Sequence, residues 1–189
     1  SSFSNWDFAT VKYNATTGAQ ITVTRNSSSG LGLDHPTALA KDLYDNIYVT
    51  GAATNGTHYD IKTVKFDEEL NTVWSVTWDN VGLDDQANSI GVDADGYVYL
   101  TGYTKKANSG SDFITIKYNN SGALQWQKFY SAPDETKTAI ARKLDIAPYG
   151  DILVTGDVYN IGNKDFLTLA YDESGNVKWQ EWFTGIGNG

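Results

Sequence analysis

Cysteine and methionine are missing from this sequence altogether. Without cysteine there is no disulfide to staple a fold and no thiolate for nucleophilic or redox chemistry, although the cellular compartment stays open on that ground. A chain that starts at Ser1-Ser2 and has no Met reads as a processed protein or as a piece excised from a longer one. No stretch approaches the roughly 18 apolar residues of a membrane helix, and none reads as a signal peptide. Basic residues are few. Against 23 Asp plus Glu there are 14 Lys plus Arg, a net charge of −9 that repels phosphate backbones and argues against nucleic acid as a partner. Histidine is limited to His35 and His58, no Ser-His-Asp arrangement stands out, and no glycine-rich loop has the form of a phosphate cradle.

What remains favours an ordered, strand-rich chain. Apolar residues make up 40% and charged residues 20%, a balance that folds. The 6 Trp, 12 Tyr and 7 Phe suit pleated, half-buried surfaces. The Asn, Thr, Ser and Gly richness has the look of a secreted or cell-surface protein.

One stretch recurs four times. It is DFITIKYNNSGALQW at 112–126, and it is rewritten at 7–21, 60–74 and 165–179. Its opening aspartates Asp7, Asp60, Asp112 and Asp165 are spaced by 53, 52 and 53 residues. A period of this size means a repeat architecture. A second block recurs three times without gaps, at 36–51, 87–102 and 141–156, each copy ending in Thr-Gly. Residues alternate in the segment from Trp6 to Tyr13, as they do in a strand. Turn residues such as Asp93-Ala94-Asp95-Gly96 divide each block into two strands. Residues 136–146 alone have a helical spacing of Ile140 and Leu144, but the aligned copies contain Pro36 and Gly91, so a strand is expected there too.

Each unit therefore holds four antiparallel strands, a to d. In the second unit these are expected at 87–93, 97–103, 112–118 and 123–130. A four-stranded sheet with two apolar faces cannot bury itself, and stacking such sheets face to face as propeller blades solves the problem. The expected fold is all-β, a β-propeller segment of four-stranded antiparallel blades within 1–189. A half blade of strands c and d lies in 1–35, and full blades lie at 36–80, 87–132 and 141–184. Propellers typically have about four to eight blades, so the expectation is an incomplete ring. The strands a and b that would complete the half blade are expected in a longer chain or another subunit. Simple closure by two copies is disfavoured, because both would bring the same half.

The strings SIGVDADGYVYLTG at 89–102 and DFITIKYNNSGALQW at 112–126 resemble the seven-bladed (SBBP-type) β-propeller repeat family of secreted and surface proteins, mostly of bacteria and archaea. The resemblance covers essentially the whole chain. It implies scaffolds or binding modules within larger extracellular proteins, and it brings no signature catalytic residues and no cofactor.

Trp74, Trp126 and Trp179 share one position in strand d, with Ile21 in the first copy, and are expected as wedges between blades. Asp7, Asp60, Asp112 and Asp165 are expected to brace loops by accepting backbone N–H bonds. Lys12, Lys65 and Lys117 give way to Ala170, so that lysine reads as dispensable. Asp93 and Asp95 resemble the start of a calcium loop, but no Glu follows at the required spacing, and a hairpin turn is the better reading. A His35–His58 metal pair is conceivable on one loop face.

Loop variation on a repeated frame is where recognition usually sits. The loops concerned are 26–35, 79–86 and 131–140 between blades, and 52–59, 103–111 and 157–164 between strands b and c. Asp34, Asp85, Tyr103 and Tyr159 are the candidate ligand contacts there. The expected function is a non-enzymatic extracellular scaffold or binding module for protein or glycan. The alternatives are a polysaccharide-active enzyme whose site needs the completed ring, and a structural part of a surface layer or filament.

Overall fold

The structure is a computed structural model and describes residues 7–26, 33–160 and 163–184. Trp6, most of the 26–35 loop and residues 161 and 162 of the 157–164 loop lie outside the described residues. Among the described residues every regular element is a strand. The half blade is β1 (Phe8–Tyr13) paired antiparallel with β2 (Gln20–Asn26). Three four-stranded sheets follow in simple sequence order. The first blade is β3 (His35–Lys41), β4 (Ile47–Thr54), β5 (Tyr59–Phe66) and β6 (Thr72–Trp78). The second is β7 (Asp85–Val92), β8 (Val98–Lys105), β9 (Ser111–Tyr118) and β10 (Leu124–Tyr130). The third is β11 (Ala139–Ile146), β12 (Ile152–Asn160), β13 (Asn163–Tyr171) and β14 (Val177–Phe183). None of the four sheets closes into a ring, and residues 139–146 are the strand that the repeat register requires.

Both faces of the middle strands are covered, and successive residues serve different interfaces. In β8, Val98 and Leu100 enter the cluster shared with Tyr48, Ile61 and Trp78 of the first blade. Tyr99 turns the other way, into the cluster shared with Val154, Leu167 and Tyr171 of the third. Phe8 of the half blade packs with Val49, Val64 and Phe66 of the first blade. Strand a of one blade lies beside strand a of the next, β3 against β7 and β7 against β11.

The recurring Thr-Gly has two separate physical roles. Thr101 Oγ1 donates to the Ile114 carbonyl at 2.8 Å and lies 3.1 Å from Thr115 Oγ1. Thr50 with Thr63, and Thr155 with Thr168, repeat that cross-strand pair. The glycine sits opposite a bulge in strand a, where the register shifts between Ala87 and Ser89, and likewise between Pro36 and Ala38 and between Ala141 and Lys143. The bulged backbone is so close that a Cβ on Gly102 would lie 2.8 Å from Ala87 Cα and nearer still to the Gln86 carbonyl oxygen.

In the first two blades the turn between strands a and b is built on one aspartate, which Ala147 replaces in the third. Asp93 Oδ1 accepts the N–H groups of Asp95 at 3.0 Å and Tyr97 at 2.9 Å, and its Oδ2 accepts the Tyr99 hydroxyl at 3.1 Å. Asp42 repeats the arrangement with Tyr44, Asn46 and Tyr48. Gly96 closes the turn at φ +83°, where a Cβ is disfavoured. The oxygens of Asp93 are thus taken up by the turn itself, and Asp95 is exposed.

A lysine and a tryptophan join each blade to the next. Lys117 Nζ and Trp126 Nε1 both donate to the Glu173 carbonyl of the following blade, at 3.1 and 3.0 Å. Lys65 donates to Asn120 Oδ1, and Trp74 donates to the Asn120 carbonyl at 3.0 Å. Lys12 reaches the Glu68 carbonyl at 2.7 Å. The lysine read from sequence as dispensable is therefore a bridge between sheets, and Ala170 takes its place in the last blade described.

Candidate functional site

The loop from β4 to β5 and the loop from β6 to β7 meet on one face at the junction of the first two blades. Asn55 shapes the first loop. Its Oδ1 accepts the N–H groups of Thr57 at 3.0 Å and His58 at 3.3 Å, which turns the amide NH2 toward the His58 ring and Asp60. Asn55 Nδ2 lies 2.7 Å from His58 Nε2 and donates to Asp60 Oδ2 at 3.1 Å. In the second loop, Asp79 Oδ1 accepts the Gly82 N–H at 3.0 Å. His58 Nε2 then lies 3.0 Å from Asp60 Oδ1 and 3.6 Å from Asp79 Oδ1.

Two more carboxylates flank this group. Asp84 Oδ1 accepts the Tyr59 N–H at 3.1 Å, and Asp84 Oδ2 pairs with Lys105 at 2.8 Å. That lysine hydrogen bond holds the Asp84 carboxyl below its usual range. Asp85 is completely buried. Its Oδ2 accepts the Asn80 N–H at 2.8 Å, while its Oδ1 has no hydrogen-bond partner. Burial pushes the Asp85 carboxyl up to about 7; the nearby Asp79 and Asp60 charges act in the same direction, and bonds from Thr104 and Asn80 oppose them.

This has a consequence for stability. Native Asp85 keeps its proton up to about pH 7, whereas the carboxyl ordinarily loses it near 3.8. The native state binds the extra proton between these values, so the contribution of Asp85 to stability is complete below about pH 4 and is lost as pH rises through about 7. A ceiling of about 4 kcal/mol follows from about 1.4 kcal/mol for each tenfold difference. Asp85→Asn is expected to abolish that loss. Urea midpoints of the two proteins at pH 5 and pH 8 test it: the wild type should lose more than the variant between them, and parallel changes would refute it.

The residues singled out from sequence are distributed unevenly over this face. Asp34 and Asp85 occupy equivalent places where strand a begins and are 2% and 0% exposed, beneath their loops. Asp34 Oδ1 accepts the Thr54 N–H at 3.2 Å. Tyr103 is half-buried, and burial raises its hydroxyl pKa. Tyr159 is half-buried beneath the Lys137 ammonium, 5.5 Å from its ring centre. The two tyrosines belong to different strands b and do not join the His58 group in any contact observed.

Two of the strand-c aspartates meet side chains of their own loops: Asp112 pairs with Lys106 at 2.7 Å, and Asp60 meets His58 at 3.0 Å. Asp165 is buried, and Asp7 is half-buried at the edge of the half blade. The His35 ring packs on Tyr59 at 5.6 Å. The grouping of His58 with Asp60 and Asp79 was not visible in the sequence, because Asp79 lies in a loop with no repeated counterpart.

Residues 81–108 match the family described as Beta-propeller repeat, SBBP, which spans the end of one inter-blade loop and strands β7 and β8. The chain thus carries the repeat its sequence resembles. The search of curated proteins returned no match. Among solved structures, a protein of unknown function from Bacteroides caccae aligns with 94% of this chain and 70% of its own, at 12% identity and a TM-score of 0.53. A structure titled as the eukaryotic initiation factor aligns with 95% of this chain and 44% of its own, at 12% identity and a TM-score of 0.51. Both share the propeller-like fold, and the chain spans less than half of the second. No helix among the described residues is long and apolar enough to cross a membrane.

Proposed function

We propose that the chain is a non-enzymatic extracellular scaffold or binding module that recognises protein or glycan through its inter-strand loops. The observation that carries this reading is the division of labour within each blade. The Thr pairs, the bulge glycines and the Lys-Trp bridges repeat, while the loops 55–58, 79–84, 106–110 and 131–138 do not. A frame that repeats and loops that differ are what a recognition surface requires. The net charge of −9 makes a basic or neutral ligand the better match and nucleic acid a poor one. Asp85, whose carboxyl burial pushes up to about 7, is fully enclosed beneath its loop, which favours a role in the fold over one in catalysis.

Further blades are the other partners of this reading. Phe166, Trp179 and Phe183 of the third blade are 61%, 43% and 66% exposed, on a sheet whose counterparts in the earlier blades are covered by a neighbour. At the other end, Val11, Leu39, Ile47 and Leu70 line a cleft of about 410 Å³ beside the half blade, where strands a and b of that blade would lie.

The test is a glycan and peptide array probed with the chain and with a variant in which the 131–138 loop is replaced by the 79–84 loop. A ligand whose binding is lost on exchange, with the circular dichroism unchanged, is expected. A protein that binds nothing on the array and assembles into filaments would replace this reading with that of a structural spacer.

A further inference from the structure

We propose that His58, Asp60 and Asp79 form a binding site for a divalent transition-metal cation of the zinc class at the junction of the first two blades. This goes beyond the recognition role and does not depend on it. The three ligating atoms, Nε2 of His58 and one carboxylate oxygen from each aspartate, all lie within 4.8 Å of one another. Ligands about 2.1 Å from a tetrahedral ion are about 3.4 Å apart. The observed separations of 3.0 and 3.6 Å from Nε2 bracket that value. One ion can therefore reach all three atoms with little movement of the backbone.

Proximity of acidic groups alone does not make a metal site, but the polar bookkeeping here is incomplete without a cation. Asp60 is 6% exposed, and its Oδ1 is buried with no hydrogen-bond partner. A buried carboxylate oxygen left in that condition is costly and calls for an ion or water. The same oxygen lies 3.0 Å from His58 Nε2, a contact that is a hydrogen bond only when Nε2 carries a proton. The Asn55 amide is oriented by the Thr57 and His58 N–H groups, so it presents hydrogens to Nε2, which meets them with a lone pair. With Nε2 accepting from Asn55, its lone pair and those of Asp60 Oδ1 face one point. A cation accepts both lone pairs, and Asn55 keeps its bond to Asp60 Oδ2.

The second blade supplies a control within the molecule. There the equivalent aspartate, Asp112, is neutralised by Lys106 at 2.7 Å. The first blade replaces that fixed ammonium with an imidazole and a second carboxylate. Two carboxylates and one neutral imidazole balance a doubly charged ion. The imidazole selects zinc-class metals over calcium and magnesium, which take oxygen ligands. Asp79 is exposed, so a coordination position is open to water or to a ligand oxygen. Because Asp60 and His58 sit at the start of β5 and Asp79 follows β6, a bound ion ties the two loops of this face together.

Titration of the untagged chain with zinc chloride, followed by calorimetry and thermal unfolding, tests the site. A single ion per chain and a rise in Tm are expected, with no rise from calcium or magnesium. Cobalt(II) substitution should give the intense visible bands of a four-coordinate site. Asp79→Asn changes an exposed side chain and should fold normally. It and His58→Gln are expected to weaken zinc by more than about 100-fold, since even outer-sphere changes cost about 10–100-fold. His35→Gln should leave binding intact. Absence of zinc binding at about 1 mM, the weakest affinity worth about 4 kcal/mol, would overturn the proposal. Undiminished binding in Asp79→Asn, or loss of binding in His35→Gln, would overturn it as well.

Discussion

Gly102→Ala is expected to leave most of the chain unfolded under conditions in which the wild type is folded, with a loss of more than about 4 kcal/mol against a typical total of 5–15 kcal/mol. The physical cause is backbone meeting backbone. Gly102 pairs with Ala87 in the β7–β8 ladder, just where strand a bulges. An added methyl would sit 2.8 Å from Ala87 Cα and closer to the Gln86 carbonyl. No flexible side chain can yield there, in contrast to ordinary overpacking in a core, which costs about 1–3 kcal/mol. Relief would require strands β7 and β8 to part, and both contribute to the apolar cluster shared with the first blade. Gly51 and Gly156 meet the same obstacle, at 2.8 Å from Pro36 Cα and 2.7 Å from Ala141 Cα. Thr101→Val is the companion measurement. It removes the hydroxyl bonded to the Ile114 carbonyl but keeps the shape, and should cost only about 1–2 kcal/mol. Urea unfolding followed by tryptophan fluorescence separates the two. A Gly102→Ala protein as stable as Thr101→Val would mean that the bulge has room to relax.

The frame was legible because the same physical problem is solved once per blade. Every blade needs a tight turn, a close strand pair and a wedge against its neighbour, so Gly102 and Trp126 have counterparts in each full blade, while Asp93 is matched by Asp42 in the first and replaced by Ala147 in the third. The limits of the strands were less legible. Repetition fades after Thr-Gly, which made those residues look like strand ends, yet β4, β8 and β12 continue to Thr54, Lys105 and Asn160. Backbone ladders need no repeated side chain, so the pairing runs on into sequence that has already diverged. Burial at Asp34 and Asp85 was not legible either: both stand where strand a begins, and their carboxylates are buried and accept the N–H groups of Thr54 and Asn80. The candidate metal group was hidden for a geometric reason. His58 and Asp60 are near in sequence, but Asp79 joins them only because β5 and β6 run antiparallel and bring the two loops to one face. A trace of it did exist, since the loop that carries Lys106 in the second blade carries a histidine and no lysine in the first.

Trp126→Ala should cost about 3–5 kcal/mol, whereas Trp179→Ala, the same change at the same repeat position, should cost about 1–2 kcal/mol. Trp126 is half-buried between the two blades it joins. Its ring centre lies 6.0 Å from Tyr99 and 6.2 Å from Tyr171, and its indole N–H donates to the Glu173 carbonyl at 3.0 Å. Truncation opens a cavity and leaves that carbonyl with Lys117 alone. Trp179 is 43% exposed, and its position in the lysine-tryptophan bridge lacks the lysine, because Ala170 stands there. Less is lost when a side chain already partly in water is shortened. The difference between the two substitutions measures what a following blade contributes, and it makes the partner proposal quantitative. Adding a cognate blade after residue 184 should raise the cost of Trp179→Ala toward that of Trp126→Ala, through burial of its ring against the new sheet. Equal costs in the present chain would show that the tryptophan stabilises its own blade alone. A cost for Trp179→Ala that stays low when the next blade is present would show that the third blade ends the stack.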